Sequence, residues 1–140
     1  MSSNEQYIWS FLKNKGFSDF GTSGLMGNLF AESGLNPINL QQTFEKKLGL
    51  TDLTYTQGVD TGSYTNFVKD SAGYGLAQWT YWSRKQKLLE YAKSLRVSIG
   101  DLDMQLNFLL QELQQSFPSV YNTLLSATSI EEAGDRKSVV

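Results

Sequence analysis

Apolar residues recur at the three- and four-residue spacing of an α-helix over most of this chain. Capping-box spacing predicts that a first helix begins at Ser3, and Gly16 is suited to end it. A second helix is predicted from a cap at Thr22 or Ser23 to Gly34. The apolar positions are Tyr7, Ile8, Phe11 and Leu12 in the first helix and Leu25, Met26, Leu29 and Phe30 in the second.

Five further helical segments are predicted after residue 40. Short helices are expected over 41–48, after a cap at Thr51 or Asp52, and over 120–125 beyond Pro118. Longer helices are expected over 83–95 and 101–116 because each carries an apolar stripe. The stripes are Leu88, Ala92 and Leu95 in the first and Leu102, Leu106, Leu109, Leu110 and Leu113 in the second.

Glycines interrupt the stretch from 55 to 80, where a small hairpin or irregular structure is expected. No internal repeat, low-complexity segment or linker divides the sequence. The pattern therefore predicts one mainly α domain with a small irregular or hairpin stretch.

The composition excludes several kinds of catalytic site. The chain of 140 residues has no Cys and no His, which excludes disulfides, the usual zinc sites and nucleophiles paired with His. Twelve basic and fourteen acidic residues give a net charge of −2, so no strong field favours nucleic acid. No apolar run approaches the ~18 residues of a membrane span, and no signal peptide is recognised. We expect no cofactor, no metal, no nucleic acid and no membrane partner, and chemistry based on carboxylates, hydroxyls, amides, amines and aromatic rings.

Glu32 is the carboxylate with the most informative position. On a helical wheel it falls at the edge of the apolar arc, three residues after Leu29 and beside Asn28. Partial desolvation there favours the protonated form of a carboxylic acid. Such an acid can protonate the leaving oxygen of a glycosidic bond. The alternative interpretation is a solvated glutamate near a helix end.

The segment GYGLAQWTYW at 73–82 combines two glycines with an amide, a hydroxyl and four large rings. Sugars present hydroxyl rims and apolar faces, so amides beside aromatic rings suit a polysaccharide groove. The alternative is that Trp79 and Trp82 are core anchors of one helical turn. For Trp79 we expect a mainly buried ring.

Two ordered motifs resemble the phage tail lysozyme family. GLMGNLFAESGLNP at 24–37 resembles the catalytic-helix segment of that family, and GYGLAQWT at 73–80 is similar to its second signature. DLDMQL at 101–106 resembles the next helix of the family. The resemblance covers residues 3–133 and implies a lysozyme-like, α-rich fold. It also implies cleavage of the peptidoglycan glycan strand by a tail-associated enzyme.

The resemblance also implies roles for particular residues. Glu32 matches the glutamate acid of the family, and 73–80 matches the segment that faces it across the cleft. Asp70 is the first candidate for a second carboxylate, because the following glycine turn can bring it toward the cleft. A single glutamate is the alternative, since several lysozyme-like enzymes work with one. The rival carboxylates are Glu45, Asp52 and Asp60.

Several other side chains are candidates for substrate binding in the same picture. Asn28 lies one turn before Glu32 and can hold its carboxyl by a hydrogen bond. Gln78 and Thr80 can bind N-acetyl groups or orient a water, and Tyr74 can hydrogen-bond the acid. The complete set of candidates is Asn28, Tyr74, Gln78, Trp79 and Thr80. Arg84 is expected to pair with a structural carboxylate or to cap backbone carbonyls.

The expected partners are bacterial peptidoglycan and other tail-protein domains or virion components. The resemblance therefore also implies a virion-associated or extracellular location. Within the enzyme class, a muramidase is the leading hypothesis and a lytic transglycosylase is an alternative. The remaining alternative is a non-catalytic wall-binding or structural tail module of the same fold.

The last residues do not continue the helical pattern. Ser129 is suited to cap another amphipathic helix, but Gly134 breaks it. DRKSVV at 135–140 is also encoded by one reading frame of a common sequencing adapter. We therefore expect a lysozyme-like domain over 1–134, truncated at its C-terminus in a metagenomic fragment, followed by a non-native tail over 135–140. The alternative is the frayed terminus of a genuine chain.

Overall fold

The structure is a computed structural model that describes residues 2–129 and residue 133. The prediction of a mainly α fold is confirmed, since the described residues form seven helices. In chain order these are α1 (Ser3–Asn14), α2 (Asp19–Ser33), α3 (Gln42–Leu48), α4 (Asp52–Thr61), α5 (Trp82–Leu95), α6 (Leu102–Ser116) and α7 (Pro118–Ser126). The chain forms two compact units. Of the described residues, 2–35, 109–129 and 133 belong to the first unit, and Asn36–Phe108 form the second.

Helix α2 begins about one turn earlier than the sequence pattern predicts. Its N-cap is Ser18, whose Oγ accepts a hydrogen bond from the Gly21 amide at 3.0 Å. Gly21 therefore lies inside the helix, where a Cβ atom would fall 1.7 Å from the carbonyl oxygen of Leu124 in α7. The predicted caps at Thr22 and Ser23 are wrong because tertiary packing, and not a turn, requires this glycine.

In the first unit, α1 and α7 both pack against α2. The buried arc of α2 is narrower than its apolar pattern predicts: Leu25 and Leu29 are buried, whereas Phe30 is 63% exposed. The rings of Phe17 and Tyr121 meet edge to face with centroids 5.3 Å apart. The exposed side of α2 is thus left available for a function other than core packing.

In the second unit, the predicted cap of α4 is confirmed. The Thr51 side chain accepts from the amide of Thr54, and the Thr54 side chain accepts in return from the amide of Thr51. Helix α4 extends into the stretch over 55–80 and ends at Thr61, and the irregular structure expected there occupies the rest of it. Two isolated antiparallel bridges follow, at Leu40 with Tyr74 and at Tyr74 with Trp79.

Some sequence-based expectations concern residues that the structure does not describe. The predicted tail at 135–140 lies outside the described residues, as does most of the helix expected after Ser129. None of the helices in the described part of the chain has the length and apolar character needed to cross a membrane.

Candidate functional site

Glu32 lies in the last turn of α2 and is exposed. The partial desolvation expected from the helical wheel is therefore not found, because the buried arc of α2 centres on Leu25 and Leu29. Asn28 lies one turn earlier and is half-buried. No hydrogen bond joins Asn28 to Glu32 among the residues that the structure describes, so the predicted bond is absent.

Besides Glu32, the exposed part of α2 includes residues with small side chains and one aromatic ring. A Cβ atom on Gly27 would have no neighbour within 4 Å. Ala31 is small and exposed, and the ring of Phe30 is 63% exposed. An exposed carboxylate, small exposed residues and one exposed apolar ring on the same helix suit contact with a large ligand that has both polar and apolar surfaces.

The second motif forms a tight turn over 73–79 in the second unit, which we call the glycine turn. Tyr74 and Trp79 exchange two backbone hydrogen bonds, of 3.1 and 3.0 Å. Gly75 between them has φ +84°. A Cβ atom on Gly75 would approach the Trp79 ring to 3.1 Å and the Gln105 amide to 3.0 Å. Glycine is required at 75 because of both its backbone conformation and this close packing.

Three polar side chains converge on Gly73 at the start of this turn. A Cβ atom there would lie 2.7 Å from Oε1 of Gln78 and 3.3 Å from both Gln41 Oε1 and Thr80 Oγ1. Gln41 also pairs with the backbone of Gly73. The backbone N–H of Gln41 donates to the Gly73 carbonyl at 2.8 Å, and the side-chain Oε1 of Gln41 accepts from the backbone N–H of Gly73 at 3.0 Å. Gln41 was predicted only as the start of a short helix and not as a residue of this site.

Gln78 is held in one orientation. Its Nε2 donates to the carbonyl oxygens of Asn39 at 2.9 Å and Gly75 at 3.0 Å. Its backbone has φ +52°, a left-handed conformation that costs a residue with a side chain roughly 1–3 kcal/mol and tends to occur at functional sites. Thr80 is exposed and donates to the Gln78 carbonyl at 2.8 Å. Gln78 and Thr80 thus remain good candidates for substrate contact.

Tyr74 and Trp79 are both fully buried. The Tyr74 hydroxyl shares a hydrogen bond of 2.6 Å with the hydroxyl of Thr56, and burial raises the pKa of Tyr74. This enclosure argues against the predicted contacts of Tyr74 with substrate or with the acid. The expected burial of Trp79 is confirmed, and its ring packs edge to face on Phe108 with centroids 5.6 Å apart. Both side chains therefore belong to the core that packs against the turn.

Asp70 belongs to a buried ion pair. Its carboxylate is 2% exposed and lies 2.6 Å from the ammonium of Lys85, which is 0% exposed. Oδ1 also accepts from the Ala72 amide at 2.9 Å, and Oδ2 accepts from the hydroxyls of Tyr55 and Tyr64, both at 2.7 Å. Four donors occupy the acceptor sites of one carboxylate. The structure therefore argues against Asp70 as the second catalytic carboxylate and favours a structural role.

Lys85, which was not among the predicted site residues, completes this network. Its three donors reach Asp70 Oδ1, the Ala72 carbonyl at 2.7 Å and the Tyr55 hydroxyl at 3.1 Å. The ammonium also lies 4.4 Å from the centroid of the Phe67 ring. Burial lowers the pKa of Lys85, and the Asp70 carboxylate opposes that shift. Because Asp70 and Lys85 bind the two backbone groups of Ala72, they fix the chain just before the glycine turn.

The rival carboxylates also hold backbone in the second unit. Asp52 accepts from the Leu40 amide at 2.9 Å, and Asp60 accepts from the Ile99 amide at 3.0 Å. A hydrogen bond with Asp52 is the largest cause that raises the pKa of Glu45. Asp52 and Asp60 therefore have clear structural tasks, and the proximity of Asp52 favours the protonated form of Glu45.

Gln105 joins three distant segments of the second unit. It is fully buried; its Oε1 accepts from the Leu76 amide at 3.0 Å, and its Nε2 donates to the carbonyls of Pro37 and Ile99, both at 2.7 Å. Gln105 lies in the motif at 101–106, but the resemblance implies no role for it. Gln105 thus holds the glycine turn at Leu76, whereas Asp70 and Lys85 hold the chain at Ala72, before the turn.

These features define a mainly α-helical protein of the lysozyme-like class. The family model for phage tail lysozyme matches residues 3–138, nearly the whole chain. The chain therefore belongs to the phage tail lysozyme family, as the motifs at 24–37 and 73–80 predicted. Membership associates it with lysozyme-type hydrolysis of peptidoglycan in a phage tail.

Proposed function

We propose that this chain cleaves the glycan strand of bacterial peptidoglycan as an N-acetylmuramidase, with Glu32 as the general acid. The observation that carries the proposal is the accessible Glu32 carboxylate at the end of α2, inside the motif by which the chain resembles its family. Cleavage of a glycosidic bond requires a proton on the leaving oxygen. Since the chain has no His and no Cys, a carboxylic acid is the natural donor.

The proposed mechanism uses one protein carboxyl group. Asp70 has no acceptor site left for a water or a sugar, because Lys85, Ala72, Tyr55 and Tyr64 occupy it. We assign to the acetamido group of the substrate the part that a second carboxylate would otherwise play. Gln78 and Thr80 are proposed to bind such N-acetyl groups, which offer one N–H donor and one carbonyl acceptor. Other tail proteins or virion components are the proposed partners, and the virion is the proposed location.

Replacing Glu32 by glutamine tests the proposal. The variant Glu32→Gln keeps the size of the side chain but loses the transferable proton, so clearing of a cell-wall suspension should slow by about 10²–10⁴-fold. Since Glu32 is exposed, the far-ultraviolet circular dichroism and the Tm should stay near those of the parent. Glu90→Gln, at an exposed position of α5, is the matched control and should keep full activity. Activity of Glu32→Gln within a few-fold of the parent would rule out Glu32 as the acid.

Mass spectrometry of the digested wall distinguishes the alternatives. A muramidase leaves reducing N-acetylmuramic acid ends, whereas a lytic transglycosylase leaves 1,6-anhydro ends. A non-catalytic wall-binding or structural module leaves the strands intact. Reducing muramic acid ends that disappear in Glu32→Gln are the expected result.

A further inference from the structure

A concave surface lies beside the glycine turn, within the second unit. Its volume is about 670 Å³, within the size range of small-molecule sites. All of its lining residues are exposed, so a ligand has free access. The lining residues are Lys69, Ser71, Thr80, Tyr81 and Trp82.

Two aromatic rings form the apolar part of this pocket. Tyr81 is 63% exposed and Trp82 is 53% exposed, and their ring centroids are 6.0 Å apart with the planes tilted by 38°. Two exposed rings this close together form a contiguous apolar patch, which is a feature of ligand-binding surfaces. Their flat faces match the apolar face of a pyranose, and the hydroxyls of Thr80 and Ser71 at the edges match its hydroxyl rim.

The two walls of the pocket are joined by buried structure. Lys69 and Ser71 flank Asp70, whereas Trp82 lies one turn before Lys85 at the start of α5. The buried ion pair between Asp70 and Lys85, 2.6 Å long, therefore connects the two walls. A pocket held in this way is formed before the ligand arrives, which lowers the entropic cost of binding.

The charge of the pocket indicates which saccharide it takes. Among the described residues that line the pocket, Lys69 is basic and none is acidic. In peptidoglycan the muramic acid unit carries a peptide with free carboxylates, whereas the N-acetylglucosamine unit is neutral. An ammonium at the edge of an aromatic platform is complementary to a sugar with an anionic substituent.

We infer that this pocket binds a peptide-bearing muramic acid unit of the glycan strand, with the sugar on Trp82 and Tyr81 and a peptide carboxylate at Lys69. The inference rests on the proposed function, since it makes the pocket a subsite for the same polymer. It assigns to Trp82 and Lys69 a binding role in which they do not take part in the chemical step.

Calorimetric titration of the full chain with two ligands tests the inference. The ligands are N,N′-diacetylchitobiose, which is neutral, and the disaccharide dipeptide of peptidoglycan, which carries carboxylates. Trp82→Ala should weaken binding of both ligands by about tenfold or more, the effect of removing an aromatic anchor. Trp82→Phe, which keeps a ring, should restore most of the affinity. Lys69→Gln should weaken only the charged ligand, by about twofold to fivefold, as expected for an exposed ion pair.

Matched controls separate these effects from general changes of the surface. Phe117→Ala removes an exposed ring in the first unit, and Lys87→Gln removes an exposed lysine from α5; neither should change binding. Affinity of Trp82→Ala equal to that of the parent, or an equal loss for both ligands in Lys69→Gln, would overturn the inference. The inference would also be overturned if the parent chain bound neither ligand. In each of these cases continued wall clearing by the parent chain would leave the proposed hydrolysis standing.

Discussion

Replacing Lys85 by methionine tests the buried ion pair that supports the glycine turn. The side chain is 0% exposed, and its ammonium lies 2.6 Å from Asp70 and 2.7 Å from the Ala72 carbonyl. Methionine fills most of the same volume but leaves the Asp70 carboxylate buried without a counter-charge. Removing one partner of such a pair costs about 3–5 kcal/mol. At about 3 °C per kcal/mol for a domain of this size, the Tm should fall by about 10–15 °C.

Thermal denaturation followed by circular dichroism measures this effect, and Asp19→Asn provides the control. The pair of Lys13 and Asp19 is nearly as short, at 2.8 Å, but its side chains are 34% and 74% exposed. An exposed pair contributes only about 0–1 kcal/mol, so the Tm of Asp19→Asn should change by a few degrees at most. The comparison therefore isolates burial as the cause of the difference.

The double variant Lys85→Met with Asp70→Asn extends the test to the case in which the single variant fails to fold. It removes both charges, so it should be more stable than Lys85→Met alone. The reasoning would be refuted if Lys85→Met lost no more stability than Asp19→Asn. It would equally be refuted if the double variant were no more stable than the single one.

Two further substitutions test other parts of the structure. Gly21→Ala would place a Cβ atom 1.7 Å from the Leu124 carbonyl and should destabilise the chain by at least about 1–3 kcal/mol. Gly27→Ala, on the open side of the same helix, should stabilise it by about 0.5–1 kcal/mol, and equal Tm values for the two variants would contradict the packing of α2 on α7. The raised pKa of Glu45 means that its contribution to stability is present at low pH and is lost as pH rises through that value. Glu45→Gln should therefore gain Tm relative to the parent as pH rises from about 4 to 7, across the ordinary range of carboxyl titration, and a constant difference would exclude the hydrogen bond with Asp52.

Features that depend on local chemistry were predictable from the sequence. The cap at Thr51 and the left-handed Gly34 at the end of α2 follow from residue types within a few positions. The buried stripe of α5 was recognised through Leu88 and Ala92. The start of α2 was not predictable in this way, since Gly21 is helical only because α7 comes so close.

The buried polar residues Lys85 and Gln105 were not predicted from the sequence. Lys85 stands three residues before Leu88, in the same helical register, so a lysine within an apolar stripe was the available signal. The role of Lys85 depends on its ion pair with Asp70. The role of Gln105 depends on its hydrogen bond with Pro37, which lies 68 residues away in the sequence. The exposure of Glu32 likewise depends on which part of α2 is covered by other helices. Single-sequence periodicity does not contain this information.

The side-chain bonds to the glycine turn have a consequence for its local dynamics. Gln41, Gln105 and the pair of Asp70 and Lys85 hold the backbone at Ala72, Gly73 and Leu76, although this stretch forms no regular helix or strand. An ordinary surface loop of this length opens by breaking a few local bonds. Here opening must also break the hydrogen bonds with Gln41, with Lys85 of α5 and with Gln105 of α6, which makes it more costly than opening such a loop. The turn should therefore exchange its amide hydrogens more slowly than an ordinary surface loop.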